Sequence, residues 1–156
     1  MIRCNLGRAP ALLVLGLGSL WAGTACAALG GGAGSVLDDA AELHGVVNAE
    51  SRGQYDIREI DTDAGMRVRE FLNRAGVVFA VSWSGPVLPD LTRLLGAHFA
   101  EYTAALASLN HPGLMRSVRV ASAGLVAESD GHLRAYAGRA YLPDLIPAGA
   151  TAAELR

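Results

Sequence analysis

Four histidines, fifteen carboxylates, two cysteines and a few serines are the side chains of this 156-residue chain that could move protons, hold a metal or attack a substrate. His44, His98, His111 and His132 lack the i, i+4 spacing of a helical zinc site, and no Cys-x-x-Cys accompanies them. No metal or other cofactor is therefore expected. His98 is the sharpest of the four, because it stands among leucines at helical spacing, where desolvation would make its pKa tunable. A buried histidine bonded to a main-chain carbonyl explains it equally. Glu59 and Glu70 could form the carboxylate pair of a glycosidase-like site, but each can be given an arginine across a hairpin. Asp61, Asp63 and Gly65 start like a calcium loop, yet glycine holds the fifth position and Leu72 stands where the bidentate glutamate belongs. Ser82-Trp83-Ser84-Gly85 lacks the leading glycine of a nucleophile elbow. No catalytic residue is assigned on these grounds.

The most distinctive stretch is Trp83 to Leu95, WSGPVLPDLTRLL: a tryptophan at a strand end, a rigid Gly-Pro turn and a Pro-Asp helix start. It reads in two ways. It can fix a strand-to-helix angle with Trp83 as a lid on the core, or it can build a recognition surface from Trp83, Pro86 and the helix N-terminus at Asp90. With His98, these three are the candidate binding residues.

Positioning them requires a sheet and a helix. Residues 55–61 (YDIREID) and 67–73 (RVREFLN) carry matching charge patterns on either side of Asp63, Ala64 and Gly65, which predicts a hairpin. With Ile60 opposite Val68, Ile57 meets Phe71, Glu59 meets Arg69, Arg58 meets Glu70 and Asp61 meets Arg67. A one-residue slip would oppose Glu59 and Glu70. The loop then has three residues and ends on Gly65, where a left-handed residue is wanted. Residues 76–83 (GVVFAVSW) are nearly all apolar and predict a central strand covered on both faces. Pro89 and Asp90 open one long helix carrying Leu91, Leu94, Leu95, His98, Tyr102, Leu106 and Leu109 on one face, stopped by Asn110 to Gly113. Strand 116–128, with a bulge at Ala123 and Gly124, a turn at Asp130-Gly131 and strand 132–140 follow. Pro143 and Pro147 then end regular structure. After the glycine run Gly30–Gly34, Ser35 can cap a short helix over 35–44. The expected fold is α+β: an antiparallel sheet of about five strands, one long helix inserted after the third strand and a short N-terminal helix.

Upstream, Arg3 and Arg8 precede an apolar run from Ala11 to Gly23, and Ala25 and Ala27 suit signal peptidase, predicting cleavage between Ala27 and Ala28. The run is shorter than the roughly 20 residues of a spanning helix. Residues 1–27 are thus expected to be a signal peptide, 28–148 a single α+β domain and 149–156 a C-terminal tail. Cleavage there removes Cys4 and Cys26, excluding disulfide, thiolate-zinc and cysteine-nucleophile chemistry. Lipidation at Cys26 is the alternative fate. All thirteen basic residues are arginine, so lysine chemistry is excluded as well. The net charge of −2, or −4 once Arg3 and Arg8 are removed, offers no footprint for nucleic acid and argues against anionic partners.

The stretch VVFAVSWSGPVLPDL followed by LLGAHF, with ALGG after the signal, VREF in the second strand and GHLRAYAGRAYLPDLIP near the end, resembles a bacterial secreted family, domain of unknown function 2844. The resemblance runs from about Ala28 to Pro147. It implies a bacterial exported protein of unassigned activity and transfers no functional residue. The leading expectation is a small periplasmic or secreted, non-catalytic binding or interaction module, its partner another envelope or secreted protein. The alternatives are a hydrolase-like enzyme using His98 with a carboxylate, and an envelope assembly or structural protein.

Overall fold

The computed structural model describes residues 29–34, 45–109 and 116–156. The signal segment with Cys26, Ala27 and Ala28, the helix expected over 35–44 with His44, and the stop from Asn110 to Gly113 with His111 lie outside the described residues.

Among the described residues, seven strands form one antiparallel sheet: β1 (Gly45–Ser51), β2 (Tyr55–Thr62), β3 (Arg67–Asn73), β4 (Val78–Gly85), β5 (Ser117–Ala121), β6 (Val126–His132) and β7 (Ala135–Tyr141). Their spatial order is β1-β2-β3-β4-β7-β6-β5. The helical segment lies between β4 and β5 as α1 (Leu91–Leu95), a 3-10 turn (Gly96–His98) and α2 (Phe99–Ala107). The expected five strands with a helix after the third are thus corrected to seven, with the helical segment after the fourth. Two causes account for the difference. Residues 45–51 form an edge strand, mostly exposed, whose sequence GVVNAES has no apolar alternation to betray it. And the segment read as one strand over 116–128 is two, folded back at Ala123-Gly124, where the Ser122 N–H donates to Leu125 O at 2.9 Å. What looked like a bulge is a hairpin turn.

The Asp130-Gly131 pair, in turn, lies inside β6. A turn there would set Glu128 against Leu133. The register adopted sets Glu128 between Arg119 and Arg139 and Val126 against Tyr141, so charge and apolar pairing together outweigh the local turn preference. The turn falls on Leu133 and Arg134 instead. Leu133 is 90% exposed and Arg134 adopts φ 63°, a left-handed conformation that costs a non-glycine residue about 1–2 kcal/mol.

The β2–β3 hairpin has the register that its charges dictate, with all five expected pairs opposed. Gly65 takes φ 76° at the end of its loop, closed by the Thr62 N–H donating to Met66 O at 2.8 Å. β4 is the middle strand, and Val78 to Trp83 are all buried. One face packs Ile60, Val68, Val81 and Trp83 beneath Leu94, Leu95 and Tyr102 of the helical segment. The long helix is broken, because Gly96 turns to φ 49°, ψ −121° and re-aims the chain into α2. On the opposite face Tyr55, Phe71 and Phe79 form an aromatic cluster with centroids 5.9–6.3 Å apart. Leu155, fully buried, closes that cluster together with Tyr141. Residues 149–156, expected as a tail, are therefore part of the packing.

Candidate ligand groove on the open sheet face

Side chains alternate across a strand, so register decides which residues share a face. On the face opposite the helices, one row runs Glu59, Arg69, Ser82, Arg139, Glu128, Arg119 across successive strands. The row on one side of it is apolar, with Ile57, Phe71, Ala80 and Tyr141, and is covered by Leu155 and Ile146. The row on the other side carries Asp61, Arg67 and Ser84. Two polar rows are thus left facing outward beside a covered apolar one.

At the centre stands a short side chain between two long ones. Ser82 is directly opposed to Arg69 on one side and Arg139 on the other, which leaves a trough one side chain deep. Each arginine is fixed from outside. Arg69 Nε donates to Glu59 at 2.5 Å, while Arg139 Nε and Nη2 both meet Glu128 Oε2, at 2.8 and 2.6 Å. Arg119 holds the other Glu128 oxygen. Each arginine also reaches the C-terminal segment: Arg69 Nη1 donates to Arg156 O at 2.6 Å, and Arg139 Nη1 to Ala152 O. Arg67 is tied by Nε to Asp61 at 2.8 Å, and that hydrogen bond raises its pKa above the ordinary arginine value. The groove over Ser82 and Ser84 has a volume of about 190 Å³, walled by Arg67, Arg69, Arg139 and Arg156 against Glu128 and Asp130. A larger groove of about 560 Å³, between the β1–β2 end and the C-terminal segment, meets it at Arg69 and Arg156.

The residues singled out from sequence are dispersed. Trp83 is 4% exposed, on the helix-covered face, its indole lying across Gly138 of β7, and its Nε1 has no hydrogen-bond partner among the described residues. Pro86 is exposed and packs beside Gly65. Asp90 caps α1, accepting from the Thr92 and Arg93 N–H groups at 2.9 and 3.3 Å. It borders an apolar groove with Met66, Val87 and Leu88 that neither Trp83 nor Pro86 lines. The three do not meet in one surface.

His98 is half-buried, its Nδ1 3.4 Å from Glu101 Oε2 and its Nε2 beside Gly30. Glu101 also accepts from the Ser122 hydroxyl at 2.5 Å and from the Gly124 N–H. These bonds, led by Ser122, hold its carboxyl below the ordinary value against the opposing effect of burial. The carboxylate stands between serine and histidine, so among the described residues no hydroxyl is hydrogen-bonded to His98, and the group pins α2 to the β5–β6 turn. Glu59 and Glu70 lie on opposite faces, Glu70 fully buried beneath the helices, and cannot act as a pair. Among the described residues no three His, Cys, Asp or Glu side chains converge, and no described helix is long and apolar enough to cross a membrane.

Sequence reasoning paired Glu59 with Arg69 but missed the trough, because Arg139 reaches Ser82 only through the β4–β7 register. One signal was present. Ser82 and Ser84, at alternate positions of an otherwise apolar strand, must put both hydroxyls on one face.

Among the described residues the chain is thus a helix-plus-sheet domain, one antiparallel sheet with helices on one face and a half-open polar face on the other. Over residues 25–155 the chain matches the family described as Protein of unknown function (DUF2844), and it belongs to that family. No curated protein and no solved structure matches it.

Proposed function

We propose that the chain is an exported, non-catalytic binding module, and that the open polar face of its sheet, centred on Ser82 and Ser84, is the surface that binds. The carrying observation is the trough between Arg69 and Arg139, whose walls are locked by Glu59 and Glu128. Such locking holds donors in place before a ligand arrives and reduces the ordering cost of binding. The signal-like N-terminus supports export, and the position of Glu101 between Ser122 and His98, which keeps the imidazole off that hydroxyl, supports binding over hydrolysis.

Two measurements test this. The N-terminal mass of the protein recovered from its native host should correspond to cleavage after Ala27; an intact Met1 refutes export by that route. Crosslinking and affinity capture, compared between the wild type and Ser84→Tyr, should lose the partner in the variant, because tyrosine fills the groove from an exposed strand position. Capture unchanged in a folded Ser84→Tyr protein removes this surface.

A rival reading has one observation in its favour, the approach of His98 to Glu101 at 3.4 Å. A hydrolytic activity of the purified protein that disappears in His98→Ala would establish it over the binding reading.

A further inference from the structure

Ser82 is only 6% exposed but lines the groove directly between Arg69 and Arg139, where its hydroxyl can both donate and accept. Around it, donors predominate. Nη1 and Nη2 of Arg67 and Nη2 of Arg69 have no hydrogen-bond acceptor among the described residues, their carboxylate partners having taken Nε. Glu59 lies one strand beyond Arg69, and Glu128, one strand beyond Arg139, walls the groove with its two oxygens already taken by Arg119 and Arg139, so both orient guanidinium groups.

We infer that the groove is a binding site for an oxyanion group, a carboxylate or phosphate carried by a small ligand, bound by the Ser82 hydroxyl and the Arg67 and Arg69 guanidinium groups. The inference rests on the binding-module reading and supplies its ligand chemistry. Guanidinium presents its N–H groups as a planar fork that matches carboxylate and phosphate oxygens in pairs, and the ligand must accept because the free groups of the arginines only donate. Two of these arginines already donate to main-chain oxygens, Arg69 to Arg156 O and Arg139 to Ala152 O, so oxygen acceptors are what this face collects. The volume of about 190 Å³ is enough for one such group and its nearest atoms. The acidity of the whole chain does not oppose this, since the groove is walled by four arginines against two acids.

The test is a titration of the full chain with inorganic phosphate and, separately, sodium acetate, followed by amide and arginine Nε NMR shifts with sodium chloride at matched ionic strength as control. Saturable shifts at Ser82, Ser84 and Arg69 with either probe are expected; phosphate alone assigns a phosphate-bearing ligand, acetate alone a carboxylate, and both a general oxyanion site. Ser82→Ala should weaken binding roughly tenfold, the ordinary effect of losing a hydrogen bond to a charged group. Arg67→Gln, at a rim position 49% exposed, should weaken it several-fold without altering the fold. Shifts no larger than in chloride, or binding indifferent to both substitutions, overturns the inference. If Ser84→Tyr still abolishes partner capture in that event, the surface stands and only its oxyanion chemistry falls; if it does not, both fall.

Discussion

Gly138→Ala is the sharpest test of the packing that holds this sheet together. A Cβ at position 138 would lie 2.6 Å from the main-chain oxygen of Glu128 and closer still to Cζ2 of Trp83. Neither neighbour can withdraw easily, since one is backbone in the adjacent strand and the other an indole 4% exposed in the core. Gly138 does not have positive φ, so no backbone strain opposes alanine. On chain entropy alone the substitution would stabilise, by about 0.4–1 kcal/mol. Overpacking of a filled core costs about 1–3 kcal/mol, and the rigid backbone contact places this case at the upper end, for a net loss of roughly 2 kcal/mol. At roughly 4 °C per kcal/mol the melting temperature should fall by about 8 °C. Thermal and urea unfolding followed by circular dichroism would measure it. In a Trp83→Phe background the same change should cost less by about 1 kcal/mol or more, because one of the two clashing groups is gone. A midpoint unchanged or raised in Gly138→Ala, or costs that simply add in the double variant, would refute the claim that the indole lies across β7.

Three further outcomes follow from particular contacts. Leu155→Ala should destabilise the whole domain by about 2–4 kcal/mol in the same unfolding assay, as expected for a fully buried leucine rather than one in a loose tail. Arg134→Gly should stabilise by about 1 kcal/mol in urea unfolding, since glycine adopts φ 63° without the steric cost that arginine bears there. Glu101 is held below its ordinary value of 4.5, so its stabilisation is complete above that value and is lost as the pH falls through the lowered one. Stability measured from pH 7 down to pH 2 should therefore decline less steeply in Glu101→Gln than in the wild type.

What could be read from the residues, and what could not, divides along the range of the interactions. The β2–β3 register was legible because its determinants are local: five opposed pairs and a three-residue loop ending in glycine admit one alignment. β4 was legible from apolar continuity. The β5–β6–β7 region was not, because the strongest local turn signal, Asp130-Gly131, competes with pairings that exist only once β7 has docked on β4. There Ser82 meets Arg139 and Ala80 meets Tyr141, contacts more than fifty residues apart in the chain. The break at Gly96 was masked by an unbroken leucine pattern. β1 was missed for the opposite reason, as an edge strand buries too little for its sequence to need a pattern. Among the candidate residues, Trp83 resolved to the core reading because Gly138, a glycine with no turn to make, is where the indole goes.

The same division explains why the groove escaped a reading by composition. Net charge sums over the chain, whereas a ligand meets the charges that one face concentrates within a Debye length of about 8 Å. Strand alternation does the concentrating: Arg67 and Arg69 share a face because they are two apart, and Arg139 joins them through β4. The C-terminal segment then completes the arrangement. Leu155 anchors it on the apolar row, and from that anchor Ala152 O and Arg156 O take hydrogen bonds from Arg139 and Arg69. The buried leucine thus helps set the orientation of two guanidinium groups, which links the stability of the segment to the shape of the groove. A ligand bound between the arginines would reinforce that docking, so an oxyanion that occupies the groove should raise the unfolding midpoint of the wild type more than that of Leu155→Ala.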